Sequence, residues 1–292
     1  MTMQSGTGVQ RVEAPSGVRV VLGRAAVQLI ADDAGAHLLH IKGEAVDSRL
    51  SPRQAPGSDV DALVRPAHVS RLDTALRARG WRIHSTFANG SPFEHAQTYL
   101  HDLWGYFDLH RWFPGINLPA DEAFELLWKE RQPRQLAGAT GSVPSLPMQA
   151  TILILNAARS GVGDPVQRWI VEPGIDPAVI ERCVGQLQAQ VAFAAATGHL
   201  ADFSREPDYT LWSAVTQDGS RTAEWLGRYR AAHSWRQRIR IIARAPRVNF
   251  DDLSHRLGRQ PTRSEIVAET IRRASKAGQE SWTWWRGRSR RG

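Results

Sequence analysis

The sequence predicts an α+β protein in which a compact N-terminal domain of helices and strands precedes a mainly helical C-terminal domain. Residues 18–120 alternate between segments of helical spacing and short segments rich in β-branched and aromatic residues, whereas residues 121–245 carry helical spacing almost throughout. The length of 292 residues allows two domains, each with a core of its own.

The N-terminal domain is expected to begin with a helix over residues 18–33, because apolar side chains recur there at spacings of three and four. "AHLLHIKG" then predicts a strand ending at Gly43, and "DVDALV", residues 59–64, predicts a second. Pro66 suits the first turn of a helix continuing to Arg79. Aromatic and alternating patterns predict strands in "WRIHSTF", "FEHAQTYLHD" and "WGYFDLHRW".

The C-terminal domain is predicted from repeated helical spacing between residues 121 and 245. The clearest segments are "ADEAFELLWKE", "PMQATILILNAARS", "PAVIERCVGQLQAQVAFAAATGHLADF" and "RTAEWLGRYRAAHSWRQRIRIIAR". Residues 246–292 are expected to form short helices and a basic, Trp-rich tail. The polar, Gly- and Ser-rich residues 1–17 are expected to be a disordered lead-in.

The composition is that of a soluble globular protein. Hydrophobic residues make up 42% of the chain and charged residues 23%, and no apolar run is long enough to span a bilayer. The N-terminus lacks the pattern of a secretory signal. Cys183 is the single cysteine, so an intramolecular disulfide is excluded and a cytoplasmic location is expected.

The positive charge is concentrated near the C-terminus. Residues 221–292 contain 18 Lys and Arg against 6 Asp and Glu, whereas residues 1–220 contain 19 against 23. A basic segment that ends in "SWTWWRGRSRRG" suits phosphates, RNA or acidic partners through charge attraction and ring stacking. The alternative is a solvated tail without a binding role.

Two aspartates within one predicted strand suggest a metal site. Asp59 and Asp61 are two residues apart, so their side chains lie on one face, about 7 Å apart at the backbone. The two anions repel each other unless a cation lies between them, and Mg²⁺ prefers such oxygen ligands and is often shared with phosphates. Alternatively, they are solvated aspartates at the start of a strand.

The motifs around this strand resemble those of a known superfamily. "IKGEAVDSRLSPRQAPGSDVDALV", "GWRIHSTF" and "LWGYFDLHRWFPGI" resemble the nucleotidyltransferase superfamily with the DNA polymerase beta fold. More narrowly, they are similar to bacterial uncharacterised nucleotidyltransferase-family proteins, over roughly residues 20–175. The resemblance implies a polymerase-beta-like mixed sheet with flanking helices, followed by a helical domain.

The resemblance also implies a catalytic carboxylate set. Asp59, Asp61 and Asp108 would hold Mg²⁺ or Mn²⁺, and Asp108 would lie beside the acceptor oxygen and accept its proton. Without that role, Asp108 would pair with Arg111 or His110.

Four further residues are expected to contact the nucleotide. The backbone of Gly43 would approach phosphate and Lys42 would neutralise it, while the Ser58 hydroxyl and His110 would bind or orient phosphate or acceptor. The superfamily has Gly-Ser or Gly-Gly at this turn, whereas this chain has Gly43-Glu44. The alternatives are a surface lysine, an ordinary turn serine and a packed histidine.

The function implied is transfer of a nucleoside monophosphate from a nucleoside triphosphate, ATP by default, to a hydroxyl or phosphate of a small molecule or peptide. The resemblance also suggests a place in natural-product tailoring. Two alternatives remain. One is the same chemistry on RNA, such as a tRNA end, and the other is a non-catalytic binding module with the same fold.

Overall fold

The computed structural model describes residues 14–51, 57–88, 93–160, 163–216 and 221–232, with a few single residues beyond them. The first part of the chain folds in the predicted order of helices and strands. Its elements are α1 (Ser16–Asp33), β1 (Leu38–His40), a 3-10 helix (Gly43–Ala45), β2 (Asp59–Val64), a second 3-10 helix (Pro66–His68), α2 (Val69–Ala78), β3 (Arg82–Ser85), β4 (Ala96–His101) and β5 (Gly105–His110).

The five strands form one mixed sheet in the order β1-β2-β5-β4-β3. The β2 and β5 strands are parallel, whereas β1 with β2, β4 with β5 and β3 with β4 are antiparallel. This sheet and its flanking helices confirm the predicted α+β fold with a mixed sheet.

Two boundaries differ from the prediction. The first helix begins at Ser16, two residues inside the predicted lead-in, and residues 1–13 lie outside the described part of the chain. The β1 strand ends at His40 rather than at Gly43, because Gly43 has a φ of +67° and turns the chain into the first 3-10 helix.

The second part of the chain is mainly helical, as predicted. Its elements are α3 (Ala120–Lys129), β6 (Gln132–Leu136), β7 (Ala139–Val143), α4 (Leu146–Ser160), a π-helical turn (Gln167–Val171), α5 (Pro177–Gln186), α6 (Gln190–Thr197), a 3-10 helix (Leu200–Phe203), α7 (Tyr209–Thr216) and α8 (Arg221–Ala231). Most of residues 246–292 lie outside the described residues, so the RNA interpretation of the basic tail stays a prediction.

A two-stranded hairpin, β6 with β7, interrupts the helical part and was not predicted. Ala137 and Gly138 both have positive φ, at 48° and 93°, which is the geometry of a tight hairpin turn. "QPRQLAGATGSV" lacks a clean alternation of apolar and polar residues, so the strand pattern is weak. The hairpin packs against α1 and β1.

The two faces of the sheet belong to different core clusters. On β2, Val60, Ala62 and Val64 pack with α1 and α2. Leu63 packs instead with Leu39 and with helices of the second part of the chain. Because side chains alternate along a strand, Asp59 and Asp61 lie on the Leu63 face. One core cluster therefore spans residue 120, and the division into two domains there stays a prediction.

Within the described residues, every helix is too short or too polar to cross a membrane. Cys183 is a buried residue of α5, and burial raises the pKa of its thiol. The expected cytoplasmic location stays a prediction.

A buried polar pair joins α1 to the sheet. His40 Nε2 lies 3.1 Å from Gln28 Oε1, and Gln28 Nε2 donates to Asp32 at 2.8 Å. Since the Gln28 amide donates to Asp32, its oxygen is left to accept from the His40 ring. Burial, with a smaller contribution from Arg24, lowers the pKa of His40 to about 3. The ring is therefore neutral in the folded protein at ordinary pH.

Acidification should destabilise the fold through His40. Between pH 7 and pH 5 the unfolded histidine binds a proton that the folded one excludes, so the free energy of unfolding falls by about 2 kcal/mol. His40→Asn keeps a donor for Gln28 and should lose that part of the pH dependence. Urea unfolding at both pH values measures it, with the exposed His199→Asn as control. Equal pH dependence in wild type and His40→Asn would contradict the assignment.

Candidate active site

The register between β2 and β5 brings two predicted acids together. Asp61 and Asp108 are paired neighbours across the parallel strands, and Leu63 is likewise paired with His110. Equivalent positions on adjacent strands place their side chains on the same face of a sheet. The acids therefore emerge on the face covered by the second part of the chain.

Asp61, Asp108 and His110 form a compact group of potential metal ligands. One ligand atom from each lies within 4.8 Å of the others. Asp61 is 5% exposed and His110 2%, whereas Asp108 is half-buried. The group combines two carboxylates with one imidazole in a largely dry environment.

Asp61 is the most strongly contacted member of this group. Lys42 Nζ lies 2.5 Å from Asp61 Oδ1, and His110 Nε2 lies 2.9 Å from the same oxygen. Burial alone would raise the pKa of Asp61, but the Lys42 ammonium and the His110 hydrogen bond outweigh it and hold the pKa well below its usual range. The Asp61 carboxylate is therefore ionised at any ordinary pH.

Asp108 is in a different electrostatic state. Burial, and then the nearby Asp61 carboxylate, raise the pKa of Asp108 to about 6, although a 2.6 Å hydrogen bond from Thr98 Oγ1 opposes the shift. Two carboxyl groups with pKa values moved in opposite directions are typical of a functional site. Of the two carboxyl groups, Asp108 therefore has the pKa closer to neutrality, and its role as proton acceptor stays a prediction.

Asp59 lies at the start of β2, outside the three-residue group. The Ser58 hydroxyl donates to Asp59 Oδ1 at 3.0 Å. Burial, and then Asp61, raise the pKa of Asp59. Asp59 is thus close enough to Asp61 to feel its charge, and its role as a metal ligand stays a prediction, as does the phosphate contact of Ser58.

The turn at Gly43 lies directly over a buried guanidinium. Arg24 is 2% exposed, and its Nη1 donates to the Lys42 carbonyl at 2.7 Å. A Cβ on Gly43 would lie 2.7 Å from Arg24 Nη2. Glycine is therefore favoured at this turn by its positive φ, and a side chain there would also require the Arg24 guanidinium to shift.

Two arginines near the site were missed by sequence reasoning. Arg24 lies on the α1 face that also carries Val20 and Val27, and a charged residue within such an apolar stripe is a signal of function or pairing. Arg159 lies near the end of α4, with Nη1 3.4 Å from His95 Nε2.

Arg159 feels the charge of the two clustered acids. Burial lowers the pKa of Arg159, while Asp61 and Asp108 oppose that shift. The arginine therefore brings positive charge from the second part of the chain to the carboxylates.

The donor set fits a hard divalent cation. The carboxylate oxygens of Asp61 and Asp108 come from adjacent strands, and oxygen ligands are those that Mg²⁺ and Mn²⁺ prefer. His110 is engaged with Asp61, so it serves to orient that carboxylate, as outer hydrogen-bond partners of metal ligands do.

Gly43→Ala should lower the free energy of unfolding more than a glycine-to-alanine change elsewhere that introduces only the strain of a positive φ. The φ strain costs about 1–2 kcal/mol for a residue with a Cβ. The contact with Arg24 adds about 1–3 kcal/mol of overpacking. Gly174→Ala is the matched control, because Gly174 has the same φ of +67° and nothing within 4 Å of its added Cβ. Urea unfolding measures both changes, and equal losses would contradict the Arg24 contact.

Comparison with known proteins gives a likeness of fold. No family model and no curated protein matches the chain. Among solved structures, the chain is similar to the solution structure of the antibiotic-resistance factor ANT(2'')-Ia. The identity is 16%, the match covers 63% of this chain and 95% of that chain, and the TM-score is 0.39. The likeness concerns fold alone.

Proposed function

We propose that this protein is a metal-dependent nucleotidyltransferase that moves a nucleoside monophosphate from a nucleoside triphosphate, ATP by default, to a hydroxyl or phosphate of a small molecule or peptide. The observation that carries the proposal is the group formed by Asp61, Asp108 and His110 across two parallel strands. The motifs quoted from the sequence give this group its chemical interpretation.

The reaction requires charge compensation more than covalent chemistry. An acceptor oxygen attacks the α-phosphorus, a bond forms there, and the bond to the leaving pyrophosphate breaks. A divalent cation at the carboxylates supplies electrostatic stabilisation of the attacking and leaving oxygens. Asp59, Asp61 and Asp108 would hold it, and Asp108 would take the proton of the acceptor.

Lys42 and Gly43 support binding of the triphosphate. The Lys42 ammonium lies at the carboxylates, 2.5 Å from Asp61, so it also provides positive charge for a phosphate group arriving there. The backbone carbonyl of Lys42 accepts a hydrogen bond from Arg24, which holds the turn that contains Gly43. His110 fixes the orientation of Asp61 from the neighbouring strand.

The second part of the chain would select the acceptor. It covers the face of the sheet on which the acids lie, and α4 contributes Arg159 beside them. A cation at this point favours an acceptor that is neutral or anionic over one rich in amines. Tailoring of a natural product is compatible with such an acceptor.

Asp61→Asn should abolish nucleotidyl transfer. Loss of the ionised carboxylate removes several kcal/mol of transition-state stabilisation, so turnover falls by about a thousandfold. The measurement is transfer of α-phosphate label from each triphosphate to an acceptor, with Mg²⁺ and cell extract as the source of acceptors. Asp33→Asn, an exposed aspartate paired with Arg79, is the control. Equal turnover in wild type and Asp61→Asn would remove the proposal.

Metal binding should be measurable without turnover. Mn²⁺ titration followed by paramagnetic resonance should show binding to wild type that weakens by about tenfold or more in Asp108→Asn, because one charged ligand is lost. The same Asp33→Asn control should bind as wild type does. Unchanged Mn²⁺ affinity in Asp108→Asn would show that the ion binds elsewhere.

A further inference from the structure

A cavity lies beside the Gly43 turn, and the clustered carboxylates are not among its lining residues. It has a volume of about 510 Å³ and lies between α1, the 3-10 helix after β1 and the β6 strand. Sites for small organic molecules commonly have volumes of this order. Its lining includes Val21, Arg24, Glu44, Arg134, Gln135 and Leu136.

Arg24 lines this cavity, and two nitrogens of its guanidinium group donate no hydrogen bond to the described residues. Its Nη1 donates to Lys42, but Nε and Nη2 have no hydrogen-bond partner among the residues that the structure describes. A buried guanidinium with unmade hydrogen bonds is costly, and such a group calls for an explanation. Because these two nitrogens are closed off from solvent, an anion in the cavity would be attracted by the charge of Arg24 without hydrogen bonding to them.

Arg134 brings a second guanidinium to the same cavity. Its Nη2 donates to the carbonyls of Glu44 and Val46, at 3.3 and 3.1 Å, so the side chain is fixed against the turn. Burial lowers the pKa of Arg24, and the positive charge of Arg134 lowers it further, while Asp61, Glu44 and Asp59 oppose the shift. The two arginines therefore repel each other across a space in which an anion would attract both.

The rest of the lining sets the shape and polarity of a ligand. Val21 and Leu136 offer an apolar wall, and Gln135 offers an amide at the exposed edge. Glu44 is the one carboxylate among the lining residues. The two arginines outnumber it, so the lining has a net positive charge. A ligand that matches all of these features carries an anionic group and a less polar body.

We propose that this cavity is a binding site for a small organic anion, with its phosphate or carboxylate group held by Arg134 and attracted by the buried charge of Arg24, and with its less polar part against Val21 and Leu136. The site is separate from the acidic group on β2 and β5, and it does not depend on nucleotidyl transfer. It therefore adds a second ligand to whatever the carboxylates bind.

The test is calorimetric titration of the full-length chain with inorganic pyrophosphate and, separately, with citrate, after EDTA treatment and removal of the EDTA by gel filtration. The divalent ions are then gone, so metal-bound phosphate at the carboxylates does not contribute, and no chelator competes for the cavity. Saturable binding of at least one probe to wild type is expected, and the two probes distinguish phosphate from carboxylate ligands. No binding of either probe would overturn the proposal.

Variants locate the bound anion. Arg134→Gln should weaken binding by about tenfold or more, since one charge-assisted contact is lost. Gln135→Glu adds a negative charge at the exposed edge of the cavity, so it should also weaken anion binding. Because this position is exposed, the second variant keeps the test valid if Arg134→Gln fails to fold. Arg131→Gln is the matched control, because Arg131 packs on Trp128 outside the cavity, and it should bind as wild type does.

Two results would place the anion elsewhere and overturn the proposal. One is unchanged affinity in both Arg134→Gln and Gln135→Glu. The other is a large loss in Lys42→Gln with none in Arg134→Gln, because the anion would then lie at the carboxylates. Neither result depends on whether the protein transfers nucleotides.

Discussion

The parallel pairing of β2 with β5 is the constraint on which the site depends. It places Asp61 directly beside Asp108 on a face that is largely covered by the second part of the chain. Two carboxylates held side by side with limited access to water repel each other strongly. The surrounding residues must therefore compensate negative charge, and their arrangement reflects that requirement.

The groups that compensate the negative charge of the two carboxylates come from several separate parts of the chain. Lys42 lies two residues after β1, His110 ends β5, and Arg159 comes from α4. Together they keep the Asp61 carboxylate ionised, while the pKa of Asp108 is raised to about 6. A site that already balances acids and bases in this way suits a complex of a cation and a phosphate, which brings both charges at once.

The turn at Gly43 connects the acidic group with the basic cavity. Arg24 lies beneath it and fixes the Lys42 carbonyl, while Arg134 fixes the carbonyl of Glu44. Glu44, at the position where the resembling superfamily has serine or glycine, lines the cavity together with these arginines. The departure from the family pattern thus accompanies a pair of cations close to the turn, and the two features are explained together by charge balance.

The sequence by itself determined the order of elements in the N-terminal part, the helical character of the second part of the chain, and the placement of Asp59 and Asp61 on one strand face. These depend on local periodicity, which a single sequence records. Its motifs also indicated Asp108 and Lys42 as candidate site residues. Only the tertiary structure decided that Asp61 lies beside Asp108, that His110 is bound to Asp61, and that Arg159 approaches these acids, since these are contacts between distant segments. It likewise brought Arg24 and Arg134 together at the cavity. The β6–β7 hairpin escaped prediction for a related reason, because its short strands are stabilised by packing on α1 and β1 rather than by a pattern of their own.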